Sequence, residues 1–269
     1  SKSGSNEFHG SIFEFVRNDK FDSRNPFDPS KQPFRLNQFG GNIGGPIFQN
    51  RTFFFANYEG LRQRVTATRR DDVPSAAFRA RATTPAVRQL VNAYPAGTER
   101  TSNADIDRAL GNTSQAWTEN AGTLRVDHRF NDNNTFFARY NVDDGLIVAP
   151  RTILAGDRQE SFFRPSNYVM QYQRVFSPTV VNEAKAGVNR STLRRFSYGP
   201  FAESVTLSGF MTLNNSNLLV ENGTSYSVID NLALTRGRHT LKFGGEIRRA
   251  HVNVADPAFE DGMSMVREF

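Results

Sequence analysis

Apolar and polar residues alternate with a period of two along most of this chain, and helical periodicity is scarce. In the stretch from Thr123 to Phe130 one face carries Leu124, Val126, His128 and Phe130, while Arg125, Asp127 and Arg129 occupy the other. A cluster of turn formers follows at Asn131-Asp132-Asn133-Asn134. The alternation resumes from Thr135 to Val142, with Phe136, Ala138, Tyr140 and Val142 on one face and Phe137, Arg139 and Asn141 on the other. This is a hairpin with a short turn. The same unit recurs at Phe39–Ile47 into Phe53–Val65, at Tyr168–Phe176 into Val180–Arg190, and at Tyr226–Leu234 into His239–Val252. With a strand over Phe8–Arg17 and a further start near Met263, the pattern predicts about nine or ten strands.

Long polar segments separate the hairpins: residues 67–113, with a short helix expected over Pro85–Tyr94, then 146–165 and 196–222. Connections therefore alternate short and long. Outer-membrane barrels do this by construction, with short periplasmic turns and long extracellular loops. The expected fold is all-β: a partial, antiparallel up-and-down transmembrane β-barrel. A large soluble β-sandwich is the alternative that alternation by itself leaves open. For the barrel, Leu124, Val126, Phe136, Ala138, Tyr140 and Val142 should share the outer face. Arg125, Asp127, Arg129, Arg139 and Asn141 should share the inner one, because an Arg facing lipid near the midplane costs about 2–4 kcal/mol. Phe53-Phe54-Phe55 and Phe136-Phe137, each just after a short turn, suit an aromatic girdle, with Phe54 pointing opposite to Phe53 and Phe55.

Composition narrows the reading further. There are 24 Phe and 7 Tyr against a single Trp in a 269-residue chain whose mean hydropathy is −0.54. Many aromatics within a polar average suit half-exposed strands. No apolar run approaches the ~18 residues of a membrane helix, so a helical membrane protein is excluded. Cysteine is absent, which removes disulfides, zinc knuckles and thiol chemistry. Net charge is +6, which suits an acidic partner such as lipopolysaccharide or nucleic acid. The arginines are spread along the chain in pairs such as Arg69-Arg70, Arg194-Arg195 and Arg248-Arg249 rather than clustered, so nucleic acid is not expected as a partner.

Catalytic chemistry is not apparent. The histidines His9, His128, His239 and His251 lack metal-ligand spacing. Asp71-Asp72 and Asp143-Asp144 read as solvated loop acids. No nucleophile elbow or triad is discernible, and the glycines Gly40, Gly41, Gly44 and Gly45 lack the Lys-Ser/Thr of a phosphate loop. No enzyme activity, catalytic residue, metal or cofactor is expected. Glycines inside a strand instead suggest a bulge, strong coiling or the close approach of another backbone.

The string Ser3-Gly4-Ser5-Asn6-Glu7-Phe8-His9-Gly10-Ser11-Ile12-Phe13-Glu14-Phe15 resembles the junction of plug and barrel in TonB-dependent receptors of the Oar-like type. Asn37-Gln38-Phe39-Gly40-Gly41, Gly44-Gly45-Pro46-Ile47 and Arg51-Thr52-Phe53-Phe54-Phe55-Ala56-Asn57-Tyr58-Glu59-Gly60 are similar to the signatures that follow it in that family. So are Arg125-Val126-Asp127-His128-Arg129-Phe130 and Phe243-Gly244-Gly245-Glu246. The resemblance touches nearly all predicted strands and leaves out the long loops.

It implies a Gram-negative outer-membrane location, a barrel of about 22 strands closed by a plug, and import energised through TonB. Residues 1–7 would end the plug and 8–269 would form the first part of the barrel. Asn6, Phe8, His9 and Gly10 would form the junction, Gly40, Gly41, Gly44 and Gly45 the strand facing the plug, and Arg125, Asp127, Arg129 and Arg139 a lumen-facing charged patch. The TonB-contacting part and about half of the barrel would lie outside this segment. Expected partners are outer-membrane lipid, TonB through the missing N-terminal part, and a small ligand, either a nutrient or a chelate. Surface adhesion is the rival role.

Overall fold

In the computed structural model, residues 2–24, 31–255 and 265–268 are described, the last four as backbone. The strands and helices in chain order are β1 (His9–Asn18), β2 (Phe34–Phe48), β3 (Thr52–Pro74), α1 (Ala76–Ala80), α2 (Pro85–Asn92), β4 (Glu99–Arg100), β5 (Ile106–Asn131), β6 (Asn134–Pro150), β7 (Arg158–Phe163), β8 (Ser166–Ser177), β9 (Val180–Tyr198), β10 (Asn217–Arg236), β11 (His239–Ala255) and β12 (Met265–Glu268). The expected strand start near Met263 falls outside the described residues. All twelve strands belong to one sheet, ordered β1-β2-β3-β5-β6-β7-β9-β10-β11-β12. β7 and β8 are successive pieces of one wall strand, because both pair with β6 and with β9. Neighbours are antiparallel throughout, which is the up-and-down meander that short turns allow.

Two of those turns need a left-handed residue. Asn50, between β2 and β3, has φ 60°, and Gly237, between β10 and β11, has φ 62°; both residue types tolerate that region. Register then sorts the faces. Leu124 pairs with Tyr140, Val126 with Ala138, His128 with Phe136 and Gly122 with Val142. Arg125 pairs with Arg139, Asp127 with Phe137, Thr123 with Asn141 and Arg129 with Thr135. Cross-strand partners share a face, so the apolar and polar sets separate as the alternation requires.

The apolar face is convex and uncovered by protein. Ile12 is 92% exposed and Ile247 78%, and Ile43, Leu124, Met170, Val228 and Phe243 are exposed on the same side. Water would not tolerate so continuous a band; lipid covers it. Aromatics edge the band toward the short turns. Phe8 lies 6.3 Å from Phe54, His128 stands edge-on to Phe130 at 4.4 Å, and Phe130 is 6.5 Å from Tyr172. Farther along the strands come tyrosines: Tyr140 stacks on Tyr168 at 4.5 Å, and the Tyr58 hydroxyl donates to Asn120. Such girdles mark the two interfaces. Of the aromatics read as girdle from sequence, Phe54 and Phe136 face out. Phe53, Phe55 and Phe137 face in, because alternation sends neighbours to opposite sides.

The strands run beyond the apolar band. Residues 67–113, 146–165 and 196–222, read from sequence as connections, are therefore partly strand, and the true connections are 75–105, 151–157 and 199–216. Past the bilayer neither face meets lipid, so the period-2 signal fades while the ladder continues. The three connections fold onto one another. Val73, Tyr94, Ala109 and Leu213 are buried together, with Leu90, Ile153, Phe201 and Phe210 packed around them. Met211 N–H donates to the Asp72 carbonyl, tying the third connection to the end of β3.

Placing a charge on the lipid side should be costly where the lumen side tolerates it. Met170→Arg is expected to lose about 2–4 kcal/mol of stability in vesicles, against less than about 1 kcal/mol for Gln171→Arg. Urea titration of the two variants refolded into lipid checks this; equal losses would mean that the faces are assigned wrongly.

Candidate functional site

On the concave face, register aligns short polar side chains into one row across the wall. Ser11 pairs with Asn42, Asn42 with Asn57, Asn57 with Thr123, Thr123 with Asn141, Asn141 with Asn167, Asn167 with Asn189, and Asn189 with Ser225. The side chains bond along the row. Asn42 Nδ2 donates to Ser11 Oγ at 2.6 Å, Thr123 Oγ1 to Asn141 Oδ1 at 2.8 Å, Asn141 Nδ2 to Asn167 Oδ1 at 3.4 Å, and Asn167 Nδ2 to Asn189 Oδ1. Asn57 Oδ1 has no hydrogen-bond partner among the described residues. From Asn57 to Ser225 these amides and hydroxyls line a trough of about 630 Å³ reaching from β3 to β11. Neutral donors and acceptors held by backbone register make a rigid surface that can exchange hydrogen bonds with a polar occupant or with water.

Toward the short turns the lumen becomes charged. Arg125 grips Asp127 with two nitrogens, Nη2 at 2.6 Å from Oδ1 and Nε at 2.8 Å from Oδ2. The side chains are 15% and 19% exposed. The Arg125 guanidinium also stands 4.1 Å from the centre of the Phe137 ring. Arg139 Nη2 donates to Asn167 Oδ1 at 3.1 Å, joining the charged zone to the amide row. Arg129 lies apart at the rim, paired with Asp132 at 2.7 Å and largely solvated.

The segment before β1 reaches this same surface. Ser3 Oγ donates to Asp127 Oδ2 at 2.9 Å. Gly4 packs so closely on β2 and β3 that a Cβ there would stand 2.3 Å from the Phe54 carbonyl oxygen; a Cβ on Gly44 would stand 3.5 Å from the Gly4 Cα. Asn6 and Asn50 then exchange two hydrogen bonds, each 2.7 Å, anchoring the segment at the β2–β3 turn. Phe8 crosses to the outer face and lies over Gly45, where a Cβ would meet its ring at 2.4 Å. Gly40 lies beneath the Phe13 ring, Gly41 against Ile12, and Gly10 against the Asn42 carbonyl. His9 makes an exposed contact with Glu7, at 3.5 Å.

At the mouth, Asp157 is buried at 1% exposure. It accepts from Thr152 Oγ1 at 2.5 Å and from Asn214 Nδ2 at 2.9 Å, with Arg151 Nε 3.6 Å away. Arg151 Nη1 also donates to the Asn215 carbonyl, and Ile153 N–H to Asp71 Oδ2, so the second connection is tied to the other two elements. In the first connection the Arg79 guanidinium donates to the Tyr94 and Pro95 carbonyls. Burial pushes the Tyr94 hydroxyl pKa up and that of Arg79 down, the latter opposed by Asp107. A hydrogen bond that Arg81 donates to the Asp105 carboxylate raises that of Arg81.

A sheet with an apolar convex face, two aromatic girdles, a polar concave face and packed connections at one end is the wall of an outer-membrane β-barrel. The sequence bears this out: the chain belongs to the outer membrane beta barrel domain family, whose profile matches residues 1–84 and 80–265. Its location is the outer membrane of a Gram-negative bacterium. Among solved structures it is similar to the ferric-catecholate import receptor Fiu from E. coli K12. For the closed form the TM-score is 0.52 at 10% identity, covering 93% of this chain and 38% of that one. For the open form the TM-score is 0.46 at 13% identity, covering 93% and 41%. The chain thus spans well under half the length of the receptor it resembles, and the likeness is one of fold. No curated protein matches the sequence.

The sequence reading named the charged residues and missed the amide row, whose members lie at different distances from their turns and meet only through register. Asp127→Ala removes the carboxylate that Arg125 grips, and is expected to lower stability by about 1–3 kcal/mol. Asp127→Asn should lose less, since it keeps an acceptor. Urea midpoints in lipid decide; an unchanged midpoint for Asp127→Ala would show that the pair contributes nothing.

Proposed function

We propose that this segment is the first part of the barrel of a TonB-dependent outer-membrane receptor of the Oar-like type, taking up a nutrient or chelate. Residues 1–7 end a plug, and barrel wall runs from residue 8. One observation carries the reading: the chain reaches β1 from the lumen side. Ser3 and Gly4 lie against the concave face, on Asp127 and Gly44, before Phe8 passes to the outer face. A polypeptide emerging from a domain that fills the lumen must take this route.

The polar row and the Arg125–Asp127 cluster supply a wet, hydrogen-bonding surface against which a plug could slide or loosen without exposing apolar groups. The connections 75–105, 151–157 and 199–216 form the mouth and make first contact with the ligand. The fold likeness to a receptor that imports ferric catecholates supports the reading in kind; it leaves the ligand class at nutrient or chelate.

The test uses the full-length protein in its own outer membrane. Cells are given labelled ferric catecholates and oligosaccharides, with TonB intact or deleted. Accumulation of one ligand that requires both the receptor and TonB is the expected result. Uptake indifferent to TonB, or loss of surface attachment with no change in uptake, would reject the import role in favour of a passive or adhesive one.

A further inference from the structure

We infer that the outer wall where β7 breaks into β8 is a binding site for a phosphorylated glycolipid of the outer leaflet. The wall strand is interrupted at Arg164-Pro165, between Phe163 and Ser166. On the lipid-facing side, just beyond the stacked pair Tyr140 and Tyr168, the interruption opens a groove of about 540 Å³. Register places Arg190 opposite Ser166 and Arg194 opposite Phe162, on the face that continues from Val188 and Tyr168. Arg164 joins them from the break itself, so three guanidinium groups line one outward groove.

Arg62 and Arg158, also outward, are engaged within the protein. Arg62 donates to the Leu61 and Glu119 carbonyls and to Asn120, and Arg158 pairs with Glu160 while lying over the Tyr198 ring. Arg190 and Arg194 are exposed and make no hydrogen bond or ion pair among the described residues. Arg164 meets Asp144 at 3.7 Å, with both side chains more than half exposed. The groove therefore holds a net excess of two positive charges, three arginines against one aspartate, at the level where the apolar band ends.

That level decides the ligand. Above the tyrosines the wall leaves hydrocarbon and enters the headgroup layer, where in the outer leaflet of this membrane the anions are phosphates on an acylated sugar. Guanidinium forks match phosphate oxygens two at a time. Thr192 and Asn222, also in the groove, offer bonds to sugar hydroxyls. Phe162 and Phe196, in edge contact at 6.0 Å, close the groove toward the mouth, and Tyr140 and Tyr168 line it on the hydrocarbon side, where they suit the root of an acyl chain. A soluble anion would use the arginines and gain nothing from these rings.

The experiment measures binding of diphosphorylated lipid A to the full-length receptor in detergent micelles by native mass spectrometry. Dephosphorylated lipid A and inorganic phosphate serve as comparators. Wild type should retain the diphosphorylated lipid. The double variant Arg190→Ala/Arg194→Ala should bind it about tenfold or more weakly, and the dephosphorylated lipid should bind weakly to both. Arg190→Lys/Arg194→Lys should fall between, and the heat-dependent gel shift of a folded barrel confirms that each variant is folded. Undiminished binding by the alanine variant, or equal binding of the dephosphorylated lipid, overturns the site. Displacement of the lipid by inorganic phosphate at matched charge would show a simple anion site and overturn the glycolipid assignment.

Discussion

In a bilayer no water is present to satisfy a backbone N–H or C=O, so each must find a partner in the protein. The ladder from β1 to β12 is the consequence, and the rest of the structure follows from it. A strand paired on both sides has no freedom except which residues face out, and a period of two fixes that for its whole length once one residue is placed. Leu124 facing lipid commits Arg125 to the lumen, and Tyr140, paired with Leu124, does the same for Arg139 on the next strand.

Because the backbone is fixed first, side chains fill what the ladder leaves. Glycines sit where a neighbour needs the space: Gly45 under the Phe8 ring, Gly60 under the Phe39 ring, and Gly44 against Gly4. The amide row is the same effect on the polar side, since register brings Asn57, Thr123, Asn141, Asn167 and Asn189 to one level across five strands. Beyond the membrane the ladder persists without a lipid face, and the connections acquire a small core of their own around Leu213 and Val73. The mouth is thereby a folded unit joined by Asp157, Arg151 and Asn214 rather than three independent loops.

The fold was legible in the sequence wherever one face meets lipid and the other water. Turn formers such as Asn131–Asn134 and the parity of Leu124 to Val142 carried that much. Strand ends in the polar zone were not legible: around Thr66–Asp72 and Gly111–Gln115 neither face meets lipid, so a regular apolar alternation has no cause and strand looks like loop. The Phe53–Phe55 run was read correctly in parity, yet only Phe54 joins the outer girdle. The candidate site was legible in kind and not in membership. Arg125 and Asp127 stand two apart on one strand and could be paired from sequence. Arg129, with the same parity, lies at the rim with Asp132. In the sequence Arg190 only ends a predicted strand and Arg194 belongs to one of the dispersed pairs; register sets them beside Phe162 and the break at Arg164.

The central claim is that one face of this wall meets lipid and the other a wet lumen. This segment holds no cysteine, so a single introduced one reports its own position once any cysteine elsewhere in the full-length protein is replaced. Spin labels on single cysteines placed at each position from Leu124 to Asp127 and from Phe136 to Asn141, in the full-length protein in bilayers, would be probed with oxygen and with a water-soluble nickel chelate. The account predicts that collision with oxygen dominates at Leu124, Val126, Phe136, Ala138 and Tyr140. At Arg125, Asp127, Phe137, Arg139 and Asn141 oxygen collisions should be low, and any collisions should come from the chelate. Equal accessibility at odd and even positions, or the reverse pattern, would contradict it.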